Sequence, residues 1–233
     1  MTWIRLRQIA LVAHDLEPVA QALTDHLGIE VAHRDPAVGK FGLHNVVMPL
    51  GSQFVEVVSP TQPGTAGGRQ LERMGGDGGY MVICHTDDHP PLRQRVDELG
   101  VRVVWESTHE DGYRLLQLHP SDTGGSFLEI DYQPGGEDPM GPWHPAGDDW
   151  QRVFNTTKVS AMVGVELRVE DPDAVAAKWS AITNLPVEQR TIALDNATVT
   201  FAEGTGGLVA VDCVGVDPAV HTIGGVEFRV RRA

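Results

Sequence analysis

Polar and apolar positions alternate with period two over residues 4–13. Ile9, Leu11 and Ala13 fall on one side, Gln8, Ala10 and Val12 on the other, which is the signature of a strand. Asp15 then stands as a cap before Leu16, Val19, Ala20, Leu23 and Leu27, which recur at helical spacing, and Gly28 sits where such a helix stops. Further strands are expected over 29–33, 43–50 and 53–59, separated by turn residues such as Asp35-Pro36 and Gly51-Ser52. The first unit therefore reads β-α-β-β-β.

After a glycine-rich connection (60–79, with a short helix around 69–74) the order restarts. A strand over 79–85, with Tyr80, Val82 and Cys84 on one face, leads to a helix carrying Leu92, Val96 and Leu99 and ending at Gly100. Strands follow at 101–106, 113–119 and 126–132. The offset between the units is about 72 residues, as from Asp15 to Asp87 and from Gly28 to Gly100. A duplicated order of elements is stronger evidence of fold than any local propensity.

Residues 133–158 hold four prolines together with Trp143, Trp150 and Phe154. Flexible linkers lack such aromatics, so an ordered belt across the first domain is expected. A third unit then opens with a strand at 163–169, the pair Asp171-Pro172 and a helix bearing Val175, Trp179 and Ile182. Strands at 187–194, 197–203 and 207–214 follow, and 225–230 reads as the opening strand of a fourth unit. The fold class is α+β: paired βαβββ modules forming an open barrel, plus a third, incomplete module. The domain division is 1–135, an ordered linker at 136–158, and a half-domain at 159–233. Val199, Phe201, Val209, Val211, Val226 and Phe228 would leave the half-domain an apolar face, to be covered by the belt or by a second copy. The expectation favours a homodimer.

The chemistry is concentrated in two places. On one predicted strand Phe127, Glu129 and Asp131 point one way and Leu128, Ile130 and Tyr132 the other. The run Phe54-Val55-Glu56-Val57-Val58 repeats the motif of a glutamate among apolar residues. A buried carboxylate is costly unless partnered, and two close together drive one pKa upward unless a cation intervenes. Glu56 and Glu129 thus imply a bound metal, a shared proton or an acid–base pair, and a purely structural pairing with a tyrosine or arginine also remains open. His44 and His119, near the third strand of each unit, are candidate bases or substrate contacts, or simple caps of strand ends. Cys84 reads as a small core residue.

Composition narrows the partners. The 233 residues carry 32 acidic and 18 basic side chains, a net charge of −14, which argues against nucleic acid and anionic membrane surfaces. No apolar run has the roughly 20 residues of a membrane span. Cys84 and Cys213 show neither metal nor redox spacing. A reduced, cytoplasmic protein with a small-molecule ligand is expected.

The run Leu118-His119-Pro120-Ser121-Asp122-Thr123-Gly124-Gly125-Ser126-Phe127-Leu128-Glu129 is similar to the end of methylmalonyl-CoA epimerase. The stretches His44 through Gly51 and Gly75 through Met81 look like uncharacterised glyoxalase-like proteins. Together they resemble the vicinal oxygen chelate superfamily, which also contains glyoxalase I, extradiol dioxygenases and bleomycin-resistance proteins. The resemblance implies a divalent metal (Zn, Ni, Mn, Fe or Mg) held by Gln8, Glu56, Tyr80 and Glu129, with Glu56 and Glu129 also catalytic alongside His44 and His119. It implies a metal-dependent lyase or isomerase acting on a small oxygenated substrate, or alternatively a metal-free protein that sequesters a ligand in the same cleft. Two departures stand out: tyrosine replaces the usual histidine at position 80, and the region 36–40 lacks the glutamate base of the epimerase. In the third unit Gly164 and Ala210 match Gln8 and Glu56, so the apparatus is missing there.

Overall fold

The structure, a computed structural model, describes residues 2–232. Strand β1 (Ile4–Val12) is followed by helix α1 (Leu16–Leu27), a 3-10 turn (Pro36–Phe41), and the hairpin of β2 (Leu43–Leu50) and β3 (Gln53–Pro60). Helix α2 (Ala66–Met74) leads to β4 (Gly78–Thr86), α3 (His89–Glu98), β5 (Val103–Thr108), β6 (Arg114–Leu118), a short α4 (Pro120–Thr123) and β7 (Phe127–Asp131). These strands form one seven-stranded sheet, ordered β2-β3-β1-β4-β7-β6-β5. In each unit the first and last strands pair in parallel, β1 with β3 and β4 with β7, and the units join where β1 and β4 run antiparallel. The sheet curls without closing.

The duplicated pattern is realised with one omission. The strand expected at 29–33 is reduced to a single bridge between His33 and Val47. The later chain takes its place: Arg152 Nη2 donates to the Ala32 carbonyl at 2.7 Å, and Asn155 Nδ2 to the Gly28 carbonyl at 3.0 Å. Backbone acceptors that a neighbouring strand would have used are satisfied by side chains instead.

Strand β8 (Val159–Val169), α5 (Pro172–Thr183), β9 (Val187–Glu188), β10 (Thr191–Ala193), β11 (Thr198–Glu203), β12 (Gly207–Gly215), β13 (Ala219–Ile223) and β14 (Val226–Arg231) build a second seven-stranded sheet, ordered β13-β14-β12-β8-β11-β10-β9. Register changes two sequence-based assignments. The strand near 225–230 does not open a fourth unit; β12 does, antiparallel to β8, and β14 closes it in parallel with β12. The incompleteness falls on β12–β14, which have no helix. Ala210 accordingly lies on an opening strand, and the strand that stands to β8 as β3 stands to β1 is β11.

The two sheets pack through one apolar layer. Ile9, Leu11, Val55, Val57, Val82, Cys84, Leu128 and Ile130 from the first meet Val165, Leu167, Val211, Cys213 and Phe228 from the second, with α1, α3 and α5 filling the layer. Val199, Phe201, Val211, Val226 and Phe228 are all within 1 % of full burial inside this chain, whereas Val209, in a register shift of β12, is only half-buried. The apolar face that suggested a homodimer is therefore covered by the first sheet, because β12 and β8 pack against β4 and β2. At Gly79 a Cβ would collide with the Leu208 carbonyl, so only glycine permits this approach. Side-chain amides complete the seam. Gln53 takes the place of a strand, donating to the Met162 carbonyl at 2.9 Å and accepting from its N–H at 2.8 Å. Asn196 does the same for Leu6.

A second, smaller apolar layer lies on the opposite, concave face of the first sheet. Phe54, Val47, Tyr80, Met81, Ile83 and Tyr113 pack there against Trp143, Ala146 and Trp150 of the belt, which is ordered by 3-10 turns at His144–Ala146 and Trp150–Val153. No helix among the described residues is long and apolar enough to cross a membrane.

Candidate functional site

Glu56 and Glu129 both lie on the concave face. The pairings Ala10↔Glu56 and Ile83↔Glu129 place them at equivalent rungs of the two units. Glu56 is 9 % exposed and Glu129 4 %. Their settings differ.

Glu56 is gripped by two amides. Gln8 Nε2 donates to its Oε2 at 2.9 Å, and Asn45 Nδ2 to its Oε1 at 2.6 Å. Both amides are oriented from behind, since Gln8 Oε1 accepts from the Trp143 indole at 2.8 Å and Asn45 Oδ1 from the Asp35 N–H at 2.8 Å. Each therefore turns a donor toward Glu56. Burial raises the pKa of Glu56, and the bonds from Asn45 and Gln8 pull against that shift. The two donors favour the ionised form, but burial outweighs them and the net shift is upward.

Glu129 has the Asp131 carboxyl as its neighbour. The two share a face of β7, and Asp131, with no exposed surface, accepts from the Tyr113 hydroxyl at 2.5 Å and the Leu116 N–H at 3.4 Å. Burial, with Asp131 and Glu56 beside it, holds Glu129 well above the usual carboxylate range. The donors are concentrated on Asp131, which favours Glu129 as the protonated member of the pair. The second sheet solves the same problem differently. Its Glu166 is ion-paired to Arg168 at 2.9 Å and Arg229 at 2.7 Å, and Glu227 to Arg229 at 2.9 Å, on a face open to solvent.

The other sequence candidates divide. Tyr80 reaches the site, because a register shift between Ala10↔Met81 and Leu11↔Gly79 bulges β4 and swings Tyr80 away from the face of Val82 and Cys84. Its ring packs on Phe127 at 5.0 Å, and burial followed by Glu56 pushes its hydroxyl pKa up to about 12. The same bulge moves the repeat offset on these strands from 72 to 73, as from Glu56 to Glu129, so the rung equivalent to Gln8 belongs to Met81. His44 stands next to Asn45 and so points to the helix side, toward Glu17 of α1. His119 is the cap of α4, its Nδ1 accepting from the Ser121 N–H at 3.1 Å. Neither histidine is brought to the glutamates. Asn45, Tyr113, Asp131 and Trp143 are, although none is a candidate site residue on the sequence, where Trp143 belongs only to the belt. Only Asp131, two residues beyond Glu129 on the same predicted face, was visible from the pattern.

These side chains do not fit a divalent ion as placed. Gln8 shows its amide nitrogen to Glu56 rather than its oxygen, and the second-unit rung offers a thioether, a soft donor unsuited to the hard ions that carboxylates bind. The Tyr80 phenol holds its proton firmly. No group of three or more His, Cys, Asp or Glu is placed to hold a metal among the described residues. A cavity of about 840 Å³ exists between the sheets, lined in part by Arg73, Asp77, Gly125, Arg168 and Gly207, and neither Glu56 nor Glu129 borders it.

The family model of the glyoxalase-like domain matches residues 9–183. The chain belongs to that family. Among solved structures, a hypothetical protein from Staphylococcus aureus is similar over 99 % of this chain and 100 % of its own, with a TM-score of 0.71 at 15 % identity. A methylmalonyl-CoA epimerase bound to methylmalonyl-CoA and NH4+ matches 56 % of this chain and 95 % of its own, with a TM-score of 0.50 at 22 % identity. The Streptomyces coelicolor methylmalonyl-CoA epimerase in complex with 2-nitronate-propionyl-CoA covers 55 % of this chain and 94 % of its own at TM-score 0.49 and 23 % identity. At such identities the likeness is one of fold alone. No curated protein matches. The Staphylococcus aureus protein thus shares the fold across both sheets.

Proposed function

We propose that this glyoxalase-like protein moves a proton on a small oxygenated substrate, using Glu56 as base and Glu129 as acid, with no divalent ion taking part. One contrast supports the reading: Glu56 is held by two amide donors, whereas Glu129 is buried beside the Asp131 carboxyl and held well above the usual carboxylate range. Both carboxyl groups are shifted upward by burial, but only Glu56 has donors that support its ionised form, and such a difference suits a base and an acid in proton abstraction next to a carbonyl. Glu56 takes the C–H proton while the Glu129 proton passes to the carbonyl oxygen, giving an enol. Return of both protons, to either face of the carbon, restores the two carboxyl groups. Such chemistry is of the isomerase or lyase type. On this reading residues 1–135 form the active glyoxalase-like domain, 136–158 the ordered linker, and 159–233 a supporting half-domain whose carboxylates are neutralised by arginine.

The test is hydrogen exchange with solvent. A panel of small 2-oxo and 2-hydroxy acids and their thioesters is incubated with the protein in D2O, and deuterium uptake next to the carbonyl is followed by NMR. Wild type should label at least one member, and Glu56→Gln and Glu129→Gln should label none. Uptake that survives both substitutions overturns the assignment.

One observation favours a second reading. Trp143 and Trp150, 1 % and 0 % exposed, fill the concave face. A metal-free binding protein, holding its ligand without chemistry, is the function to which absence of uptake across the panel would point.

A further inference from the structure

The lip of the concave face carries the feature that neither reading uses. Trp105 on β5 pairs with Gln117 on β6, which pairs with Glu129 on β7, so these three share a row across the concave side. At about 4.8 Å per strand, Trp105 stands roughly 10 Å from Glu129. On the other flank Phe41 ends the 3-10 turn four residues before Asn45, the residue that grips Glu56. The two rings meet edge-to-face at 5.4 Å. One ring is thus carried by the Glu56 arm and the other by the Glu129 arm.

Both rings face solvent: Phe41 is 44 % exposed, Trp105 37 % and the adjacent Val104 45 %. By contrast Trp143, Trp150 and Trp179 are all buried to within 1 %. The ammonium of Lys40 lies over both rings, 4.9 Å from the centroid of Phe41 and 4.4 Å from that of Trp105. No carboxylate pairs with Lys40 among the described residues, although the chain has 32 acidic side chains. The acid nearest in sequence, Asp35, is committed to the Ala37 N–H at 2.8 Å. An exposed aromatic pair topped by an unneutralised cation is complementary to a flat apolar ring bearing a negative charge.

We propose that Phe41, Trp105 and Lys40 form a recognition site for an aryl carboxylate at the entrance to the concave face. The ring lies against Trp105 and Phe41, and the carboxylate replaces the rings as the partner of Lys40. This rests on the proton-transfer reading only in naming its substrate class; the recognition itself does not need the glutamates.

The probe is 2-naphthoate, titrated by calorimetry and by tryptophan fluorescence, with 2-naphthylmethanol as the neutral ring and acetate as the bare charge. Wild type should bind 2-naphthoate saturably and quench, with the alcohol and acetate each at least tenfold weaker. Trp105→Ala and Lys40→Met should each weaken 2-naphthoate at least tenfold with unchanged thermal midpoints, all three residues being at the surface. Glu56→Gln should bind it as wild type does. No saturable binding, equal binding of the alcohol, or wild-type binding by Trp105→Ala and Lys40→Met would overturn the proposal. Deuterium uptake by the substrate panel without naphthoate binding would sink this site and leave the proton-transfer reading standing.

Discussion

The indole N–H of Trp143 donates to Gln8 Oε1 at 2.8 Å, joining the belt to the first strand across 135 residues of chain. That bond decides which end of the Gln8 amide faces Glu56. It converts a side chain that could have offered a metal-binding oxygen into a hydrogen-bond donor. The expected outcome is that untagged wild-type protein gives no saturable heat with Zn²⁺, Mn²⁺ or Ni²⁺ at micromolar concentration. Trp143→Phe, which frees the amide to rotate, is the variant in which any such binding should first emerge.

Glu129→Gln should stabilise the fold, increasingly so as pH rises. The folded protein holds the Glu129 proton above its ordinary range, whereas the unfolded chain releases it near pH 4.5. Wild type therefore loses stability from this group as pH climbs above about 4.5. Glutamine can offer its own N–H to Asp131 without that loss. Thermal midpoints measured between pH 4.5 and 8 should show the variant drawing ahead of wild type, and parallel curves would contradict the shared proton.

Tyr113→Phe should have the opposite sign. It removes the 2.5 Å donor from Asp131 and leaves a fully buried carboxylate short of a partner. The cost is about 1–3 kcal/mol, read from urea unfolding, and it should be smaller in the Glu129→Gln background because the two positions are coupled.

Gln53→Ala should cost about 2–4 kcal/mol, more than the loss of a single hydrogen bond. Both the N–H and the carbonyl of Met162 lose their partner at the seam between the sheets. Denaturant midpoints measure it, and a loss below about 0.5 kcal/mol would mean that water replaces the amide.

Much of this molecule is legible in the order of its apolar residues. The alternations at 4–13, 53–59 and 126–132 and the helical stripes from Leu16 and Leu92 recur as β1, β3, β7, α1 and α3. The placement of Glu56 and Glu129 on one face follows from the repeat. What escaped was set by register and by distant chain. A one-residue bulge turned Tyr80 and moved the Gln8-like rung to Met81, and no local pattern marks a bulge. His44 drew attention while its neighbour Asn45 faces the carboxylate, a one-residue difference that inverts the face. The role of Trp143 arises from a segment that belongs to neither unit. The last strand was misread because pairing partners, unlike periodicity, are not written in the sequence of a single strand.

The belt also changes what a cut in the backbone would do. Glu137 to Met140 are exposed on its outer side, while Trp143 and Trp150 are sunk in the first sheet and Gln53 and Asn196 knit the two sheets together. A protease that severs this stretch would release nothing. The two fragments would stay together as a non-covalent complex, migrating as one particle in native separation and as two bands once denatured.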